Sequence, residues 1–288
     1  MNSTRWDICL AGAFCTKRQI ARERSLENLG SLGKVENLGK EKIILNSQFS
    51  ILNSQFSIGK IMFIVLEGLD GAGKSTQIKL LREMVEQAGW ECEYLHFPRF
   101  DAPVYGDLIA RFLRGEFGSV EQVNPYLVAL LYAGDRADAA KLINGWMAEG
   151  KCVICDRYVY SNVGYQCAKV AGAEERKALT EWILKTEFEE FSIPRPTLSL
   201  FLDVPFAFTE AKLTAAREGA DRDYLGGAQD IHEQSLDLQR RVREVYLAAA
   251  ERDENFRVVD CSSKEGGMAS PEVIFERVSE VVKPLLKR

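Results

Sequence analysis

The sequence predicts an α/β domain in three layers: a five-stranded parallel sheet with helices on both faces, and a short lid at one end of it. Two observations carry that expectation. From Ile61 onward short apolar runs alternate with longer amphipathic stretches, the pattern that successive βα units leave in a chain. The first of those runs leads directly into a glycine-rich segment, Gly68-Leu-Asp-Gly-Ala-Gly-Lys-Ser-Thr76, which opens a helical pattern.

In chain order, the first strand is expected at 61–67, β-branched and apolar enough to lie in the middle of the sheet. A helix follows at 77–88 and a second strand at 91–96, then helices at 104–115 and 124–149 on their 3.6-residue apolar spacing. The third strand, 152–155, is again wholly apolar and central. A helix at 173–191, a strand at 197–203, helices at 206–219 and 230–252, a strand at 256–260 and a last helix at 271–287 complete the domain. Such a sheet binds its ligands at the carboxyl ends of its strands.

The glycine-rich segment satisfies G-x-x-x-x-G-K-[ST] between a strand and a helix, which makes the fold P-loop NTPase-like. Gly68, Gly71 and Gly73 let backbone N–H groups, with those of Asp70, Ala72 and Thr76 nearby, turn toward phosphate oxygens at a helix N-terminus. Lys74 is placed to reach the β- and γ-phosphates, and the Ser75 hydroxyl to ligate Mg²⁺. The loop specifies a nucleoside triphosphate and leaves the reaction open.

At the end of the third strand stand Asp156, Arg157 and Tyr158. A carboxylate there can hold Mg²⁺ through water, and a guanidinium can grip phosphate oxygens in a fork. Tyr132 and Arg136 are four residues apart in a helix and so share a face, where a ring and a guanidinium can address one ligand. Asn162 offers a donor and an acceptor, the pair that a pyrimidine edge requires.

The chain carries 37 Lys and Arg against 42 Asp and Glu. The excess of positive charge lies in the first 60 residues, so the domain itself is acidic and a nucleic-acid surface is not expected. Seven cysteines without framework spacing fit free thiols in a reducing, cytoplasmic setting. Cys152 and Cys155 form a C-x-x-C, but on a strand they point to opposite faces and read as core residues. No run reaches the ~20 apolar residues of a membrane helix. Residues 45–51 recur at once as 52–58. This doubled heptad is too short for a repeat fold, so residues 1–61 are expected to be a poorly ordered extension without catalytic role, with Met62 a natural start.

Phe63-Ile-Val-Leu-Glu-Gly-Leu-Asp-Gly-Ala-Gly-Lys-Ser-Thr76, Phe97-Pro-Arg99, Leu131-Tyr-Ala-Gly-Asp-Arg136, the segment from Asp156 to Tyr165 and Leu200-Phe-Leu-Asp-Val-Pro205 stand in an order that resembles the thymidylate kinases. The resemblance covers residues 61–288. It implies phosphorylation of dTMP to dTDP with MgATP and a homodimer. It also implies that Asp70 meets the 3′-hydroxyl of dTMP, that Arg99 and Arg157 hold its phosphate, and that Phe97 lines the cleft. Tyr132 would stack on thymine, Arg136 bond its O4, and Tyr165 close on the sugar. Gly134 and Gly164 stand where the family usually has alanine, and the second substitution raises the expectation of a looser wall against ribose. The segment at about 217–228 is the expected lid, and with glycine at 71 the resemblance is to bacterial members that supply Arg217 or Arg222 from the lid to the transition state. Glu233 is a further candidate near the metal, whereas His232 reads as a surface histidine and His96 as structural. The alternative is a deoxynucleoside kinase, which requires a base at a hydroxyl in place of paired arginines at a phosphate. A guanine-nucleotide switch would need N-K-x-D, which the sequence lacks.

Overall fold

The computed structural model describes residues 61–214, 225, 230, 232 and 235–287. Arg217, Arg222, Glu233 and the doubled heptad lie outside the described residues. Five strands form one parallel sheet in the order β2-β3-β1-β4-β5: β1 Met62–Gly68, β2 Cys92–His96, β3 Cys152–Asp156, β4 Leu198–Asp203 and β5 Phe256–Asp260. β1 and β3 are buried at every position and pair from Met62 opposite Cys152 to Leu66 opposite Asp156. That register places the start of the glycine-rich loop beside the end of β3.

Because side chains alternate along a strand, β1 feeds two cores. Phe63 and Val65 pack with Tyr158, Phe201, Tyr246 and Phe256 on one face. Met62, Ile64 and Leu66 pack with Ile78, Leu81, Val85, Ile274 and Val278 on the other. Helices therefore cover both faces. The second face takes helix α1 (Lys74–Gln87) and the last helix, α8 (Pro271–Leu286). The first takes α3 (Pro125–Ala148), α4 (Val159–Cys167), α5 (Ala173–Lys185) and α7 (Leu236–Ala250), with α2 (Tyr105–Leu113) joined to α3 and α6 (Phe206–Thr214) after β4. Cys152 and Cys155 are free and fall in opposite cores, as a strand requires. Among the described residues no helix is long and apolar enough to cross a membrane.

Three details of the helices differ from the sequence expectation, two starts and one change of helix type. α1 begins at Lys74, three residues before Gln77, because Gly73 enters it from the left-handed region at φ 82°. α7 begins at Leu236, where the Ser235 hydroxyl accepts from the Leu238 amide at 3.1 Å. Residues 186–190 continue α5 as a π-helical turn. A fourth difference is an omission: α4 was not expected. Its sequence, VYSNVGYQC, is rich in β-branched and aromatic residues, and eight of its nine residues are buried, so it shows no apolar stripe. Its N-terminal cap comes from a residue of β1 remote in sequence, Glu67, whose carboxylate accepts from the amides of Tyr158 and Ser161 at 2.9 and 3.1 Å.

Candidate active site

At the carboxyl end of β1 the chain turns through Gly71 and Gly73, both with positive φ, into α1. A substitution at Gly73 would strain the turn even though a Cβ there meets nothing within 4 Å. Lys74 leaves this turn and is 9% exposed, its Nζ donating to the carbonyls of Gly68 and Leu69 over 3.4 and 3.3 Å. Burial, with the nearby Arg157 charge, pulls the ammonium pKa down, while Asp156, Asp70 and Glu67 pull it up. Ser75 and Thr76 are exposed at the helix start.

Asp156 ends β3 and is 5% exposed, with Oδ1 buried and unpartnered among the described residues. Arg157 follows with φ 67°, a conformation that costs a residue with a side chain about 1–3 kcal/mol. Its amide donates to the Leu66 carbonyl at 2.8 Å. Its guanidinium reaches Asp70 Oδ1 at 2.5 Å and Ser161 Oγ at 3.3 Å, and lies over the Tyr165 ring. Tyr165 donates its hydroxyl to Asp70 Oδ2 at 2.8 Å, and Gln239 approaches the same oxygen at 3.4 Å. Asp70, Arg157 and Tyr165 thus form one group beside the loop.

Arg136 and Asn162 form a second group. Arg136, 2% exposed, is held in a fork by Glu187, 0% exposed, with Nε to Oε2 at 2.5 Å and Nη2 to Oε1 at 2.7 Å. Burial opposes the Arg136 charge, but Glu187 outweighs it and keeps the pKa above its ordinary value. Asn162 donates to the same Oε1 at 2.8 Å and to the Ala129 carbonyl at 2.9 Å, leaving its Oδ1 buried and, among the described residues, unpartnered. Glu187 was missed from the sequence. It sits in the π-helical turn, and in the run Thr186-Glu-Phe-Glu-Glu190 nothing separates it from the exposed Glu189 and Glu190. Glu67 was missed as well, although a lone charge inside the apolar run MFIVLEG was a visible signal.

Arg99 is placed differently from its expected partner Arg157. Its amide and Nε donate to the Asp135 carboxylate, both at 2.9 Å, and its Nη2 to Asp138 at 2.6 Å; its Nη1 takes part in none of these bonds. Phe97 is 1% exposed and packs on Tyr158 at 5.6 Å, a core position behind the cleft. Tyr132 is half-buried among Ile109, Phe112, Leu113 and Val128. His96 donates its Nδ1–H to the Pro98 carbonyl at 3.1 Å, a structural contact.

Two expectations, on Gly164 and His232, are corrected, and the glycine at 134 is explained. A Cβ on Gly134 would meet the Tyr105 ring at 2.3 Å, so glycine there makes room for that ring. A Cβ on Gly164 would meet the Tyr246 ring at 3.1 Å, so the missing methyl is filled from α7 and opens no gap toward a sugar. His232 is not a surface residue: it is 6% exposed, stacks on Tyr165 at 5.0 Å and meets the edge of Phe112 at 5.4 Å. Burial pushes its pKa well below the ordinary histidine value.

Lys169, just beyond α4, lies over the Phe112 ring at 4.9 Å and donates to Gln166 at 2.8 Å. Burial brings its pKa from 10.5 to about 7, against the pull of Asp230 and Glu121. Between those values the unfolded chain binds more protons than the folded one, so stability rises with pH across that window and the gain is lost as pH falls to about 7. The Tm of the native chain relative to Lys169→Met is expected to climb from pH 7 to 9.5 and to be flat below pH 6.5. A difference that stays constant over the alkaline range rules this out.

A glycine-rich loop after β1, a guanidinium delivered beside it at the end of β3, and a second buried guanidinium held beside the Asn162 amide define a P-loop nucleotide kinase. Residues 66–268 match the family model described as thymidylate kinase. A probable thymidylate kinase of Pyrococcus abyssi is 35% identical over 223 residues, 77% of this chain and 95% of that one. A thymidylate kinase of Mycobacterium tuberculosis is 36% identical over 189 residues, 66% of this chain and 86% of its own. A solved thymidylate kinase structure from Candida albicans superposes with a TM-score of 0.59 at 22% identity, over 79% of this chain and 94% of that one, and shares the fold. The chain belongs to the thymidylate kinase family.

Proposed function

We propose that the chain phosphorylates dTMP to dTDP with ATP, the loop after β1 holding the donor and the Asp70–Arg157–Tyr165 and Arg136–Asn162 groups holding the acceptor. The observation that carries this is the Asp70–Arg157–Tyr165 group beside the loop, with the Arg136–Asn162 group on α3 and α4. A phosphate bound by Arg157 is then within reach of the loop, while a pyrimidine edge faces Asn162 and Arg136.

In this reading the amides of residues 68–76 and Lys74 hold the ATP phosphates, and Arg157 bridges the γ-phosphoryl group and the dTMP phosphate, which the free Nη1 of Arg99 also contacts. Asp70 accepts from the 3′-hydroxyl, a neutral donor that a carboxylate suits better than it suits a phosphate. Tyr132 faces thymine, and Arg136 and Asn162 bond its edge. A cytosine amino group there would set donor against donor, which penalises dCMP. The chemistry is positioning and charge neutralisation with no covalent enzyme intermediate.

The donor set suits Mg²⁺: a hard cation takes oxygen ligands and keeps several waters, and the unpartnered Oδ1 of Asp156 and the exposed hydroxyl of Ser75 are oxygens of that kind. When bound, Mg²⁺ neutralises phosphate charge. Glu233 is assigned the same neighbourhood, and Arg217 or Arg222 the transition-state charge, in a basic lid of the bacterial type over about 217–228. We place the protein in the cytoplasm as a homodimer that binds no nucleic acid, with residues 1–61 dispensable.

A coupled ADP-release assay with dTMP, dUMP, dCMP, UMP and thymidine, run on the full chain and on one beginning at Met62, tests this. Strong preference for dTMP by both forms is the expected result. Turnover of thymidine but not dTMP would overturn the assignment, and activity confined to the full chain would overturn the dispensable extension.

A further inference from the structure

We propose that Glu67 is a positioning residue for phosphoryl transfer, fixing the Arg157 guanidinium through Ser161. Glu67 is the only charged residue in β1 and is 0% exposed. Its carboxylate accepts from four donors: the Tyr158 amide at 2.9 Å, the Ser161 amide at 3.1 Å, the Ser161 hydroxyl at 2.5 Å and the Tyr246 hydroxyl at 3.0 Å. Two of these are the N-cap amide, Tyr158, and a first-turn amide, Ser161, of α4, where the helix dipole favours an anion.

The Ser161 hydroxyl donates to Glu67 and accepts from Arg157 Nη1 at 3.3 Å, while Arg157 Nη2 reaches Asp70. The result is a chain Glu67–Ser161–Arg157–Asp70 that leaves the phosphate loop at one flank and returns to it at the other. It encloses the backbone of Arg157 at φ 67°, a conformation that persists only where its surroundings determine it. Burying a carboxylate costs more than burying leucine, so nothing in sheet stability calls for glutamate at this position. What the charge supplies is orientation: it draws the first turn of α4 and the Ser161 hydroxyl to one point and so sets where the guanidinium lies relative to the loop. Burial raises the Glu67 pKa, and the bonds from Ser161, Tyr246 and Tyr158, with Arg157, oppose that rise.

This inference rests on the reading that Arg157 contacts the phosphates, and the test separates the two. In the full chain, kcat and both KM values are measured with dTMP and MgATP for Glu67→Gln, Ser161→Ala, Arg157→Ala and the two doubles with Arg157→Ala, with Tm on each sample. Glu67→Gln and Ser161→Ala are expected to lower kcat by about 10- to 100-fold, as loss of an orienting partner does, with KM for ATP within about threefold. Neither should cost anything further once Arg157 is alanine, because both act through it. A Glu67→Gln enzyme with lowered Tm and unchanged kcat overturns the proposal, as do losses additive with Arg157→Ala. Ser161→Ala keeps the carboxylate and carries the test if Glu67→Gln does not fold. An Arg157→Ala enzyme with unchanged kcat overturns the underlying reading of Arg157.

Discussion

Glu187→Ala is expected to lower the stability of the domain by about 3–5 kcal/mol, because it leaves the Arg136 guanidinium buried without a counter-charge. Arg136 is 2% exposed and gives Nε and Nη2 to Glu187, and Asn162 gives its amide to the same carboxylate. One truncation thus strands a cation and a second donor. For a domain of this size that loss corresponds to a fall in Tm of roughly 6–20 °C, readable by calorimetry. Glu187→Gln, which keeps shape and one acceptor, should lose less. Replacing both partners, as Arg136→Met with Glu187→Leu, should recover much of the stability, since an apolar pair of similar volume packs well. In the proposed reading it should still raise KM for dTMP, because the thymine edge then loses the Arg136 guanidinium and keeps only Asn162. A Glu187→Ala protein as stable as the native one would show that Arg136 finds water or another partner and that the pair is not structural.

Lys74→Met is expected to reduce kcat by about 10²- to 10³-fold, the loss typical of one donor aimed at transition-state charge, while leaving Tm unchanged or higher. Both halves follow from the same geometry. The ammonium is buried, its pKa is drawn down chiefly by that burial, and its two bonds to the Gly68 and Leu69 carbonyls are long. The fold therefore gains little from this charge. An apolar chain of similar length removes the desolvation cost, and only the chemistry suffers. Steady-state kinetics and a melting curve on the same sample decide it: activity within tenfold of native would remove Lys74 from the phosphate site.

The sequence by itself determined the sheet and the loop. Strands such as MFIVLEG and CVICD are apolar at consecutive positions, and only burial on both faces of a parallel sheet accounts for that; the loop is legible because its glycines and lysine are fixed by backbone geometry over nine adjacent residues. Periodicity did the same for α2 and α8. What only the tertiary structure decided are contacts between residues far apart in the chain. α4 carries no apolar stripe because it is buried on all sides, and its cap, Glu67, lies more than 90 residues earlier. Glu187 is one of several glutamates in a row, and its selection as the partner of Arg136, 51 residues away, depends on a π-helical turn that local propensity does not encode. His232 reads as a surface residue in the first turn of a helix expected at 230–252, yet it is buried against the Tyr165 ring, with α7 beginning only at Leu236. Local chemistry is written in neighbouring residues, whereas the partner of a buried charge is set by which chain segments the sheet brings together.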